Sequence, residues 1–378
     1  MSAIALVLLL AVGQTEVTEI EMPPVPGPAP RLEAEADYLY WFIRSMRTPP
    51  LLTTGPAGGF AVLGQPGTQI VYGDDRLESR HDDRYVGVRF GFDWWFDEER
   101  TFALHGSAFF LERDSSNFTI PWQSAVTLAR PFVDAATNTN QTLIVAGSTG
   151  LGPLTGSINI YSRTELFGQD LGGLAILSRG DGWSIAGILG TKFLQMRERL
   201  DITDTSRILP DQTTLLGATD HFHTFDKFYG GQLGLVGEFR ATDRLKIRLQ
   251  GTIALGADDQ GIRTYGDQIF QTPLVRDVKN YGLYVLPSNT GDFERGDFDT
   301  VSEASVSFVW DVSRHITMHL GYSLLVWGTP VRPGDQITPI NLSQVSPGGL
   351  VGPRTPQIPW KTDLLLVHGA NVGLEFHW

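Results

Sequence analysis

The stretch from Leu245 to Leu255 alternates without a slip. Leu245, Ile247, Leu249, Gly251, Ile253 and Leu255 fall on one side of an extended chain, and Lys246, Arg248, Gln250, Thr252 and Ala254 on the other. Successive side chains of a strand point to opposite faces, whereas a helical period would scatter this set around the axis. The pattern recurs from Tyr85 to Phe96, where Val86, Val88, Phe90, Phe92, Trp94 and Phe96 oppose Tyr85, Gly87, Arg89, Gly91, Asp93 and Trp95. It can be followed through ten segments, near 33–43, 84–96, 100–113, 156–177, 183–199, 220–240, 244–258, 298–312, 315–327 and 365–378. A chain written this way folds as antiparallel sheet.

The connections carry as much information as the strands. Four are tight: Asp97-Glu98-Glu99, Arg179 to Gly182, Ala241-Thr242-Asp243 and Ser313-Arg314. Five are long, near 44–83, 114–155, 200–219, 259–297 and 328–364, and tight and long alternate along the chain. Strands running up and down then place every tight turn at one end and every long loop at the other, the asymmetry of transmembrane β-barrels.

No stretch reaches the roughly 20 apolar residues of a spanning helix, so a membrane protein of this sequence has to cross with strands. A mean hydropathy of −0.06 fits, because barrel strands alternate lipid-facing and lumen-facing residues. Abundant glycine (42 residues) and 11% aromatic residues favour strands and turns over helix bundles. A secreted sandwich also has period two but buries its apolar face. Here the apolar faces carry aromatics near strand ends: Tyr38 and Tyr40, Trp94 and Phe96, Phe109 and Phe110, Tyr229 and Phe239, Trp310 and Tyr322. Such positions suit interfacial girdles. The net charge of −13 argues against nucleic acid as a partner, and the absence of cysteine removes disulfides and thiolate sites.

At the start, Ile4 to Val12 is a short apolar run, with Ala11 and Gly13 placed for cleavage. Residues 1–13 read as a signal peptide, 14–31 as a proline-rich spacer and 32–378 as the barrel. At the other end, Leu366, His368, Ala370, Val372, Leu374, Phe376 and Trp378 share one register, so the chain stops on an aromatic of the apolar face. Leu374, Phe376 and Trp378 resemble the terminal signal read by the bacterial barrel-assembly machinery.

Several stretches together resemble the family described as putative beta-barrel porin-7. They include Glu33 to Ile43, Pro49-Pro50-Leu51-Leu52-Thr53-Thr54-Gly55, Val62 to Thr68, Phe228-Tyr229-Gly230-Gly231-Gln232-Leu233-Gly234 and Pro287-Ser288-Asn289-Thr290-Gly291. Gly321-Tyr322-Ser323, Val331-Arg332-Pro333-Gly334-Asp335-Gln336-Ile337 and the closing Gly369 to Phe376 complete the set. The resemblance implies a bacterial outer-membrane barrel acting as a pore, and it implies no catalytic residues.

The residues that carry chemistry each have two readings. Arg332, Pro333, Gly334, Asp335 and Gln336 could set selectivity at a pore mouth. The favoured alternative is a structured turn in which Arg332 pairs locally with Asp335. Phe228 to Gln232 could mark a constriction, or Gly230 could simply make room beside a bulky lumen residue while Tyr229 and Leu233 face lipid. Arg89, Asp93, Glu238, Arg240, Lys246, Arg248, Glu303 and Glu375 fall on the polar faces, where they either pair across the lumen or line water. Ten strands enclose little more than packed side chains, which favours the paired network.

Asp220, His221, His223 and Asp226 approach one strand end, and Asp74, Asp75, His81, Asp82 and Asp83 another. Such groups at a rim could run hydrolysis. No nucleophile motif accompanies them, the acidic spacing fits no calcium loop, and no zinc or phosphate-binding pattern is present. The expectation is therefore all-β: a closed, up-and-down transmembrane barrel of ten strands, or twelve if 114–155 hides a hairpin. It sits in the outer membrane and admits small hydrophilic solutes, the alternative being a non-conducting barrel that works through its loops. No catalysis, cofactor or metal is expected, and the expected partners are outer-membrane lipid and the assembly machinery.

Overall fold

The computed structural model describes residues 31–74, 84–121, 126–149, 152–210 and 212–378. The segments read as signal peptide and spacer lie outside these residues, apart from Arg31, as do Asp75, His81, Asp82 and Asp83. The described chain is all-β, with sixteen strands in one antiparallel sheet. Ten of them hydrogen-bond into a closed ring: β1 (Leu32–Ile43), β4 (Arg84–Trp95), β5 (Phe102–Leu111), β9 (Gly152–Gly180), β10 (Trp183–Ile208), β11 (Leu215–Arg240), β12 (Leu245–Gln271), β14 (Gly291–Asp311), β15 (Ile316–Trp327) and β16 (Leu365–His377). These are the ten segments marked in the sequence. The ring is sealed where β16 lies along β1, with Trp378 N donating to the Leu32 carbonyl at 2.9 Å.

The remaining strands belong to the long connections: β2 (Leu52–Pro56), β3 (Gln69–Tyr72), β6 (Asp114–Pro121), β7 (Val126–Asp134), β8 (Thr139–Thr149) and β13 (Arg276–Lys279). The hairpin suspected in 114–155 exists as β7 and β8, but it folds onto β2 and the end of β9. It leaves the ring at ten.

Two connections expected to be long are largely strand. β10 runs on to Ile208, β11 already begins at Leu215, and β12 extends to Gln271. The reason is an inversion of polarity along each strand. On β10, Leu189 and Phe193 face outward and Lys192 inward. Beyond Phe193, Leu194, Met196, Leu200 and Ile202 face inward, with Glu198 between them, while Arg197, Arg199 and Asp201 face out. Apolar-out becomes apolar-in, and the strand continues through the change. β9–β12 thus form a tall wall on one side of the ring.

In the lower part of the ring the outward face is apolar and bare. Leu189 and Leu233 are 68% and 60% exposed, and Tyr38, Phe90, Trp94, Leu171, Ile253 and Leu320 share that face. On β10 and β11 the belt runs from Trp183 to Phe193 and from Tyr229 to Phe239. These lengths match the roughly 9–11 residues with which a tilted strand crosses a bilayer. Phe109, grouped with the girdle from sequence, instead points inward and is buried, leaving the outward position to Phe110. Gly230 opens space for the Phe228 ring, as one sequence reading had it, and Tyr229 and Leu233 face outward.

Above the belt, the inner face of the wall is covered by the connections. Ile158, Ile160, Leu200, Ile202 and Phe222 pack against Leu51 and Leu52, Leu128, Val145, Leu283 to Leu286 and Ile340. This second core turns the loop end into a compact head.

Candidate functional site

The interior of the ring is the first candidate, because it is where alternation sends the polar side chains. It is layered. At the tight-turn end, Glu33, Asp93, His105, Glu238, Arg248 and Glu375 line a cavity of about 210 Å³. Their charges are paired. Arg248 donates to Glu238 at 2.6 Å and reaches Glu375 on β16 at 3.1 Å, and His105 meets Asp93 at 2.6 Å. Glu33 accepts from Trp95 at 3.0 Å and pairs with Arg100 and His377. Arg240 is exposed at the rim, where it lines a neighbouring cavity with Trp95, Arg100, Arg179 and Lys246.

Midway up, Lys192 Nζ is 2.7 Å from Asp170 and 3.0 Å from Glu303, which lies across the ring on β14. His319 meets Asp37 at 2.7 Å, and Arg89 lies over the Trp41 ring at 5.2 Å. Charge-assisted pairs inside a low-dielectric wall hold the side chains that make them.

Above the charges the lumen is filled. Leu39 and Trp41 from β1, Phe109 from β5, Leu194 from β10, Phe228 from β11 and Trp327 from β15 project inward, each no more than 2% exposed. They belong to one cluster with Leu166, Val301, Leu325, Leu365 and Val367. The ring centroids of Trp41 and Phe109 are 5.2 Å apart, and those of Phe228 and Trp327 are 6.4 Å apart. This is a packed apolar layer across the interior.

A plug from the β15–β16 connection sits on that layer. A short 3-10 turn, Pro333–Gln336, is largely buried among the strands. Arg332 was read as pairing with Asp335 nearby, but it reaches across to Glu198 on β10, with Nη2 at 2.6 Å and Nε at 2.8 Å. Its Nη1 donates to the Arg44 carbonyl at 2.8 Å, and Val331 N donates to Asp226 at 2.8 Å. Gln336 ties the turn to the Lys361 carbonyl at 2.8 Å. Pairing with Asp335 loses because Glu198 offers a bidentate acceptor in a site sealed from water. Beside this plug, 283–286 is held by Asp220, whose carboxylate accepts from the backbone N–H groups of Leu283, Tyr284 and Val285. Arg130 closes that network with Asp204 at 2.7 Å and Asp220 at 2.5 Å.

Of the charges singled out in the sequence, Arg89, Asp93, Glu238, Lys246, Arg248, Glu303 and Glu375 lie in the interior, and Arg240 is at its mouth. Sequence reasoning missed Glu33, Asp37, Asp170, Lys192 and Glu198, although each sits on an inward register that alternation could have assigned. The grouping of Asp220, His221, His223 and Asp226 does not survive folding. The two aspartates face the interior, and the histidines face outward, on the opposite side of β11. Leu374, Phe376 and Trp378 share the outward face of β16, with the rings of Phe376 and Trp378 stacked at 5.9 Å.

A family model described as putative beta barrel porin-7 matches residues 34–378. The chain belongs to this family. Within porin-7 the match takes in the ring, the head and the plug alike. Solved structures with a similar course are distant. The outer membrane protease OmpT from Escherichia coli is 7% identical, with a TM-score of 0.33, over 92% of this chain and 96% of its own. The CymD monoaromatic hydrocarbon channel is 7% identical, with a TM-score of 0.23, over 93% and 89%. The toluene transporter TodX of Pseudomonas putida is 9% identical, with a TM-score of 0.20, over 91% and 88%. No curated protein matches the porin-7 chain.

Proposed function

We propose that this chain spans the bacterial outer membrane as a ten-strand β-barrel whose resting lumen is shut to passive diffusion, and that it works through its external head. The bare apolar belt supports the membrane placement, since exposed apolar surface of that extent marks a membrane or partner face. The observation that carries the closed lumen is the apolar layer of Trp41, Phe109, Leu194, Phe228 and Trp327. A hydrated solute crossing it would shed its water without gaining polar partners, which is costly.

Outer-membrane lipid is then the partner of the belt, and Leu374, Phe376 and Trp378 are the residues offered to the assembly machinery. The reading assigns no catalysis: Asp220 and Asp226 lie on the face of β11 opposite His221 and His223, so the acid–histidine grouping expected from the sequence does not form. A second reading, a pore for small hydrophilic solutes, is favoured by the charged cavity at the tight-turn end and by the family description. It requires the layer and the Arg332 plug to move.

Planar-bilayer recording of the purified full chain separates the two. The closed reading expects no steps above lipid background. Steady, voltage-independent steps from the unmodified protein would overturn it and restore the passive pore.

A further inference from the structure

Above the belt, the outward face of the wall holds a side-chain cluster that the lumen does not use. His221 and His223 are two residues apart on β11, so both rings leave the sheet on the same side. Asp201 on β10 is the direct cross-strand partner of His221. Three atoms converge there. Asp201 Oδ1 is 2.6 Å from His221 Nδ1 and 3.2 Å from His223 Nε2, and all three ligand atoms lie within 4.8 Å of one another. The Tyr265 ring stacks on His221 at 4.1 Å and meets His223 edge-on at 5.4 Å, which holds both imidazoles in place. Arg199 occupies the other carboxylate oxygen, Asp201 Oδ2, at 2.5 Å and leaves Oδ1 as the shared vertex.

We propose that Asp201, His221 and His223 bind a divalent cation of the zinc, cobalt and nickel class on the outer wall of the head. Zinc binds imidazole nitrogen at about 2.0–2.1 Å and carboxylate oxygen at about 2.0–2.2 Å. Tetrahedral bonds of that length separate ligand atoms by roughly 3.3 Å. The His223 contact already has that spacing, and the His221 contact has to widen by less than an ångström. The ion takes the place of the imidazole protons now directed at the carboxylate. Two nitrogens and one oxygen suit borderline metals, whereas calcium and magnesium prefer all-oxygen sets. The side chains of Asp201, His221 and His223 are 11%, 16% and 25% exposed, so an ion can enter from solvent, and water can fill the fourth position. The site is independent of whether the lumen conducts.

The test uses the full chain without an affinity tag, purified in detergent micelles and titrated with Co²⁺. The expected result is a visible d–d band that saturates at one ion per chain and is displaced by Zn²⁺. Asp201→Asn and His223→Gln should each weaken Co²⁺ binding at least about tenfold, while His315→Gln leaves it unchanged. Heat-modifiable gel mobility reports that each variant remains folded. A wild-type protein with no saturable band, or a band that persists in both ligand variants, would overturn the proposal and leave a hydrogen-bonded tie between two strands.

Discussion

The Arg332 guanidinium grips the Glu198 carboxylate through two hydrogen bonds, although 134 residues separate the two, and neither side chain is more than 1% exposed. One residue belongs to a connection and the other to the wall, so this pair joins the plug to the ring.

Removing one partner should therefore cost more than removing both. Glu198→Ala leaves a buried guanidinium unpaired and is expected to lower stability by about 3–5 kcal/mol. Chemical unfolding of the folded barrel measures this, and trypsin should begin to cut at 328–364. The double variant Glu198→Leu with Arg332→Met should recover most of the loss, because well-packed apolar side chains often replace a buried pair at little cost. A double variant as unstable as the single one would refute the anchor.

The apolar layer makes a second prediction. Neither the Trp41 nor the Trp327 indole N–H has a hydrogen-bond partner, so the contribution of these side chains lies in their volume. Trp41→Phe should be tolerated, whereas Trp41→Ala should cost about 3–5 kcal/mol. Combining Trp41→Ala and Trp327→Ala with Glu198→Ala, which frees the plug above the layer, should also open a conducting path that single-channel recording detects. A folded triple variant that stays silent would place the barrier outside the layer and the plug.

Asp335 gives a pH dependence whose sign can be worked out. Burial and the charge of Asp363 raise its carboxyl above the ordinary range, against the opposing pull of Arg332, Lys361 and Arg47. Its Oδ2 is buried without a partner. An acid that holds its proton more tightly folded than unfolded favours folding at low pH, and that contribution fades as pH rises from the unfolded value through the folded one. Asp335→Asn should consequently raise the thermal midpoint at pH 8 and do little at pH 4. Equal shifts at both values would remove Asp335 as the source.

The ring was legible because one rule, apolar out with the charged side chains in, holds along most of the belt, the inward patch of Trp95, Ala103, Leu174, Ala186 and Ile188 being the exception. Leu245 to Leu255 displays it completely, and the ten strands follow from it. The upper wall is only partly legible. Segments 156–177 and 220–240 take in most of β9 and β11, whereas 183–199 and 244–258 stop short of the ends of β10 and β12, where the outward face has turned polar and no longer marks a strand. Phe109 and Phe110 are adjacent aromatics, and composition alone does not say which one faces in. The Arg332 plug and the Asp201–His221–His223 cluster depend on pairings between separate strands. Nothing local to Arg332 points to Glu198, and nothing near His221 points to Asp201 until β10 and β11 are in register.

The same tall strands have a mechanical consequence. The ladders joining β9, β10, β11 and β12 run from the belt into the head with no hinge between them. Their hydrogen bonds lie across the strand direction, so a pull on the head, away from the bilayer, loads many rungs together in shear instead of unzipping them one by one. With the membrane placement proposed above, anything that grasps the head would pull directly on the strands that anchor it.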